Sequence, residues 1–161
     1  MKSFNINANI EVYQYDELPQ PIRGLIECAK EQVHHAYAEY SNFRVGAAAL
    51  LANGEVFKGS NQENAAYPSG LCAERTTLFY AQAQYPDVPV KALAIAAWNN
   101  DSYTEEPVSP CGACRQVMIE IEHRLKEDMH IYLYGTNAVY HIASARQLLP
   151  FCFVKESLDG K

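Results

Sequence analysis

At 161 residues the chain has room for one domain with a sizeable core and too little length for two comfortable ones. Hydrophobic residues at 48% and charged residues at 20% exclude a disordered or fibrous chain. Thirteen basic against nineteen acidic residues give a net charge of −6, with no basic run to replace phosphate counterions. Long nucleic acids are therefore disfavoured as partners, and a small neutral molecule is easier to accommodate.

Residues 1–12 lack the basic-then-apolar pattern of a signal peptide, and no apolar run approaches the ~20 residues that span a bilayer. The expectation is a cytoplasmic protein with no membrane partner, whose five cysteines stay reduced.

In chain order, Phe4, Ile6, Ile10 and Val12 fall on alternate positions and predict an N-terminal strand or extended arm. A helix is predicted over 19–37, with Leu18, Ile22, Leu25, Ile26, Ala29 and Val33 on one face and Asp16 and Pro19 suited to its first turn. Residues 43–51 read as a strand, Asn53-Gly54 as a hairpin turn and 55–60 as the returning strand. A polar loop over 61–71 leads to a helix over 72–83. The apolar run 91–98 then has the look of a buried strand. A second irregular loop, 99–110, precedes a helix over 111–126. Short strands follow at 131–134 and 139–142, and Ser144 can cap a last short helix ending before Pro150. This order predicts an α/β fold, one sheet with helices on its faces.

Chemistry concentrates in two segments, Cys72-Ala-Glu-Arg75 and Pro110-Cys-Gly-Ala-Cys-Arg-Gln116, each at a predicted helix start. Cysteines at i and i+3 on a first turn point the same way, so Cys111 and Cys114 can grip one metal. The helix N-terminus lowers a thiol's pKa towards the thiolate that binds zinc. Cys72 as a third ligand leaves one tetrahedral position open, the arrangement of a catalytic zinc. Other readings stay open at this point. The Cys-x-x-Cys pair alone would also suit a redox site, and a closed structural zinc would need a fourth ligand from Cys28, Cys152 or a histidine. Cys28, on its helix's apolar face, and Cys152, between two phenylalanines, read better as core residues. His34, His35, His123, His130 and His141 match no ligand spacing and read as surface or satisfied core residues. Glu74 stands beside the metal without being an obvious ligand, where a carboxylate can move the proton of an activated water. Cys-x-Glu combined with Pro-Cys-x-x-Cys is the signature of zinc deaminases as a class.

The chain resembles the cytidine deaminases of the small, homotetrameric kind. The resemblance runs over 37–153 and rests on five motifs in order: Tyr40-Ser-Asn-Phe-Arg-Val-Gly-Ala-Ala48, Gly59-Ser-Asn-Gln-Glu-Asn-Ala-Ala-Tyr67, Cys72-Ala-Glu-Arg75, Ser109-Pro-Cys-Gly-Ala-Cys-Arg-Gln116 and Leu148-Leu-Pro150. It implies a single domain over 1–161, with 1–18 as an N-terminal extension. The implied fold is a three-layer α/β/α arrangement around a mixed five-stranded sheet. One zinc per subunit would be held by Cys72, Cys111 and Cys114, and Glu74 would shuttle a proton to ring N3 and then to the leaving amine. Cytidine or deoxycytidine would become uridine or deoxyuridine with release of ammonia, a step of pyrimidine salvage. Arg75 would moderate the charge of the thiolates. Asn61 and Glu63 would bind the ribose 3′-hydroxyl, Phe43 the base, and the Ala73 backbone N–H the pyrimidine edge. Phe153 would reach a neighbouring subunit's site, so that a homotetramer shares its active sites.

Three departures accompany the resemblance. The N-terminal stretch extends beyond the usual start, Glu39 stands where proline is common, and the loop 99–107 is longer than typical. Asp101, Glu105 and Glu106 in that loop add negative charge expected to lie near the zinc helix. Competing functions are deamination of a blasticidin-type antibiotic and a non-catalytic zinc-stabilised module. An open metal position beside a carboxylate argues against the second.

Overall fold

The structure, a computed structural model, describes residues 1–159. Its strands are β1 (Glu11–Tyr13), β2 (Arg44–Leu51), β3 (Val56–Ser60), β4 (Val90–Asn99), β5 (Ser102–Tyr103), β6 (His130–Tyr134) and β7 (Val139–Ile142). The helices are α1 (Gln20–Gln32), α2 (Ala73–Gln84), α3 (Gly112–Leu125) and the short α4 (Lys155–Leu158). One mixed sheet runs β1-β7-β6-β4-β2-β3, with β5 hydrogen-bonded to the end of β4. The five predicted core strands are β2, β3, β4, β6 and β7; β1 and β5 bring the total to seven.

Period-2 alternation decides the two faces. Ala47, Ala49, Leu51, Leu93, Ile95, Ile131 and Leu133 point to one side and pack with Leu78 and Ala81 of α2 and Met118 and Ile119 of α3. Ala48, Ala92, Ala94 and Ala96 point to the other, where α1 lays down Leu25, Ile26 and Ala29. The apolar stripe read from the sequence is this buried face of α1, with Leu18 and Val33 buried at its two ends.

Alanine on the α1 side lets the helix approach closely, and Gly46 marks the closest point. A Cβ built there would lie 2.0 Å from the Ala29 carbonyl oxygen and 2.8 Å from the Val33 nitrogen. Gly46→Ala is expected to lower stability by about 3 kcal/mol, because backbone and not a flexible side chain must move. A urea midpoint unchanged from the parent would contradict this.

Several boundaries differ from the sequence-based expectation. The N-terminal alternation becomes a strand only at β1, which pairs antiparallel with β7 at the sheet edge. Phe4, Ile6, Ile10 and Val12 are exposed. Asp16 belongs to a separate 3-10 turn, Tyr15–Glu17, and not to α1, whose N-cap is Pro19. The helical run past Gln32 tightens into a 3-10 turn at Val33–His35. The loop after β4 is not irregular throughout: Asn100 and Asp101, with φ of 51° and 61°, form a two-residue turn that folds β5 back onto Trp98 and Asn99. Beyond it, Glu106 turns to Asn137 and Tyr140, so its charge is engaged at the β6–β7 turn.

Topology brings the two chemical segments together. β2 is antiparallel to both β3 and β4, so β3 and β4 run the same way and end at the same edge of the sheet. α2 follows β3 and α3 follows β4, so both helices begin at that edge, outside the carboxyl ends of the strands.

Candidate metal centre and active site

Cys72 is the N-cap residue of α2 and Cys111 that of α3, and neither sulfur caps its own helix. The thiols face one another: Cys72 Sγ lies 3.7 Å from Cys111 Sγ, and Cys111 Sγ lies 3.5 Å from Cys114 Sγ. All three ligand atoms fall within 4.8 Å of one another. Thiolates about 2.3 Å from a tetrahedral zinc stand about 3.8 Å apart, so the cluster fits that ion. Among the described residues no other histidine, cysteine or carboxylate joins the group, which keeps a fourth position open.

The remaining candidate ligands lie away from this cluster, most of them engaged elsewhere. Cys28 and Cys152 pack against the two hydrophobic clusters. His141 contacts Glu11 at 2.7 Å and His130 at 2.8 Å, His123 contacts Glu156, and His34 lies edge-on to Trp98.

Electrostatics favours a thiolate at this corner. The Cys114 thiol and the Arg75 guanidinium, whose Nη2 is 3.6 Å from Cys72 Sγ, hold the Cys72 thiol down to about 5. Sharing that proton with Cys72, together with burial, pushes the fully buried Cys114 the other way. Arg75 is in turn held more firmly in its charged form by Cys72. Glu74 is only 4% exposed, and burial raises its carboxyl above the ordinary carboxylate range.

A mostly apolar cavity of about 320 Å³ opens beside the cluster. Cys72, Glu74 and Cys111 line it with Phe43, Asn61 and Ser109. A second cavity of about 330 Å³ shares Asn61 and Cys72 with the first and extends over Glu63 and Arg75. Asn61 accepts from the Val45 N–H at 2.7 Å and donates to the Phe43 carbonyl at 2.9 Å, which holds the start of β2 against the loop. Glu63 accepts from the backbone N–H of Tyr40 at 2.8 Å and from the Ser41 hydroxyl, and these bonds keep its carboxylate ionised.

The structure thus brings Phe43, Asn61, Cys72, Glu74 and Cys111 to one cavity, with Cys114 buried behind it and Glu63 and Arg75 in the adjoining one. Ala73 is buried at the first position of α2. Phe153 is not brought to this site; it is 58% exposed on the segment before α4. Sequence reasoning missed Ser41, Val45, Ile95 and Val108, which also line the first cavity. Ser41 and Val45 flank Phe43 on one stretch, while Ile95 lies on β4 and Val108 on the loop before α3, and no spacing signal marks such a set.

A three-layer α/β/α domain with three cysteine sulfurs at paired helix starts and a buried carboxyl group beside an open metal position has the build of a catalytic zinc enzyme. The family model for the cytidine and deoxycytidylate deaminase zinc-binding region matches residues 20–127. The chain is 41% identical over 138 residues to a cytidine deaminase of Sporosarcina psychrophila, covering 86% of this chain and 95% of that one. It is 40% identical over 135 residues to a cytidine deaminase of Halalkalibacterium halodurans, covering 84% and 96%. Among solved structures, the cytidine deaminase from Burkholderia pseudomallei superposes with a TM-score of 0.69 at 43% identity, over 81% of this chain and 97% of that one. The chain belongs to the cytidine deaminase family. These relatives do not favour an antibiotic deaminase or a non-catalytic zinc module. No described helix is long and apolar enough to cross a membrane.

Proposed function

We propose that the chain is a zinc-dependent cytidine deaminase that converts cytidine and deoxycytidine, with water, to uridine and deoxyuridine and ammonia. The observation that carries this reading is Glu74, a nearly buried carboxylate in the wall of the cavity that Cys72, Cys111 and Phe43 also line.

Cys72, Cys111 and Cys114 would hold the zinc. Bound there, the metal supplies the Lewis acidity that activates water at neutral pH. Glu74 would take a proton from the attacking water and deliver it to N3, which makes C4 electrophilic. As the water oxygen bonds to C4, the second water proton would pass through Glu74 to the amine, and the C4–N bond breaks to release ammonia. Burial, which raises its carboxyl above the ordinary carboxylate range, suits a group that must both accept and release a proton. Three thiolates leave the site formally negative. Arg75, bonded to Cys72, would offset part of that charge and so preserve the Lewis acidity that a bound zinc supplies.

The apolar wall around Phe43 receives the pyrimidine, and the Ala73 N–H, free at the start of α2, meets its polar edge. Asn61 has one amide N–H beyond those its two backbone bonds use, and Glu63 keeps spare lone pairs. Both are suited to the ribose 3′-hydroxyl, and the carboxylate disfavours a phosphate there. Exposed Phe151 and Phe153, with Tyr67 and Tyr80, support a homotetramer in which Phe153 stacks in a neighbour's site. We read the chain as one domain, acting in pyrimidine salvage in the cytoplasm.

Zinc-loaded protein incubated with cytidine or deoxycytidine is expected to bleach the cytosine absorbance, with activity confined to the oligomer on size-exclusion chromatography. Absence of turnover with both nucleosides overturns the activity. An active, stable monomer overturns the shared site.

A further inference from the structure

Two of the motifs that mark the family contain residues with no part in the chemistry above: Arg115 and Gln116 after the last cysteine, and Leu148-Leu-Pro150 near the C-terminal end. The structure joins them. Arg115 Nε donates to the Pro110 carbonyl at 2.8 Å, Nη2 to the Ser109 hydroxyl at 2.9 Å and Nη1 to the Leu148 carbonyl at 2.8 Å. Gln116 Nε2 donates to the Phe153 carbonyl at 2.6 Å.

We propose that Arg115 is a positioning residue that fixes Ser109, Pro110 and the metal ligand Cys111 in one arrangement with the C-terminal segment ending at Phe153. The inference rests on the reading of Cys111 as a zinc ligand and Phe153 as a residue of a neighbour's site. Ser109 lines the reaction cavity, and Pro110 is the residue whose carbonyl leads directly into Cys111. Cys111 is the exposed member of the three thiols, so its placement depends most on the turn that carries it. Irregular backbone of this kind has no ladder to satisfy its carbonyls, and a side chain must do it.

The three acceptors fan out around a planar fork, which suits a guanidinium; a lysine presents all its donors from one point and cannot serve them together. No carboxylate among the described residues forms an ion pair with Arg115. Its work is therefore geometric. By holding Leu148 while Gln116 holds Phe153, α3 sets both its own zinc corner and the reach of the C-terminal aromatic.

Outer residues that orient metal ligands typically change affinity by about 10- to 100-fold when replaced. Zinc-loaded parent, Arg115→Lys, Ser109→Ala and Ile26→Val are mixed with a chromogenic chelator and the rate of zinc transfer is followed, alongside kcat and KM for cytidine. Ile26→Val lowers stability from the opposite face of the sheet and controls for loosening of the fold. Arg115→Lys is expected to release zinc at least about tenfold faster and to lower kcat at full zinc occupancy. Ser109→Ala, which loses one of the three bonds, should fall between it and the parent, and keeps the test decisive if the lysine variant does not fold. Zinc release from Arg115→Lys at the parental rate, or equal acceleration by Ile26→Val, overturns the proposal. Failure of the parent to deaminate cytidine would instead strike the functional reading, since the release rates need no substrate.

Discussion

Glu74→Gln is expected to lower kcat for cytidine by roughly 10³- to 10⁴-fold while the protein still binds one zinc per chain, the upper range for loss of a positioned acid–base group. The amide matches the carboxylate in shape and keeps its hydrogen-bonding reach, so the cavity of Phe43, Asn61 and Cys111 stays intact. What is lost is the ability to take a proton and give it back. Burial matters here: at 4% exposure Glu74 is screened from bulk water, so solvent cannot easily stand in for it. The test is the bleaching of cytosine absorbance together with zinc content by atomic absorption. A kcat within tenfold of the parent at full zinc content would remove Glu74 from the chemistry.

Cys114→Ala is expected to abolish stoichiometric zinc binding and, with it, measurable turnover. Cys114 is the fully buried thiol of the three, and its loss leaves two ligands at a corner with no fourth donor among the described residues. Stripping zinc from the parent with a chelator should do the same reversibly: added zinc restores the parent but not the variant. Zinc at about 100 times its dissociation constant stabilises the fold by about 2.7 kcal/mol. For a domain of this size that corresponds to a drop in Tm of roughly 5–10 °C on removal. Cys28→Ala, on the opposite face of the sheet, is the control and should keep both zinc and activity. Activity of chelator-treated, zinc-free protein equal to that of the parent would refute a metal-dependent reaction.

The zinc corner was unusually open to sequence reading because its signals are local. Cys111 and Cys114 share a first helical turn, and Cys72 and Glu74 sit two residues apart at another helix start, so spacing carries the geometry. The same holds for the α1 stripe and for the Asn53-Gly54 turn, where Gly54 has a φ of 88°. The β5 hairpin was missed because its turn is built from Asn100 and Asp101, which tolerate positive φ without the glycine that usually announces it. The N-terminal alternation, which predicts a strand or extended arm, resolves into both: β1 pairs with β7, and Phe4 and Ile6 lie exposed on the stretch before it.

Residue type and short-range spacing therefore determined the Cys111–Cys114 pair, Glu74 two residues from Cys72, the helices and the β2–β3 hairpin, because each depends on contacts within a turn or a hairpin. Tertiary structure alone decided that Cys72 meets Cys111 across 39 positions at 3.7 Å, since that meeting follows from β3 and β4 running in the same direction. It also decided that alanines and Gly46 let α1 close onto the sheet, and that Arg115 reaches Leu148, 33 positions away. Such distances are set by strand order and helix packing, which no local pattern encodes.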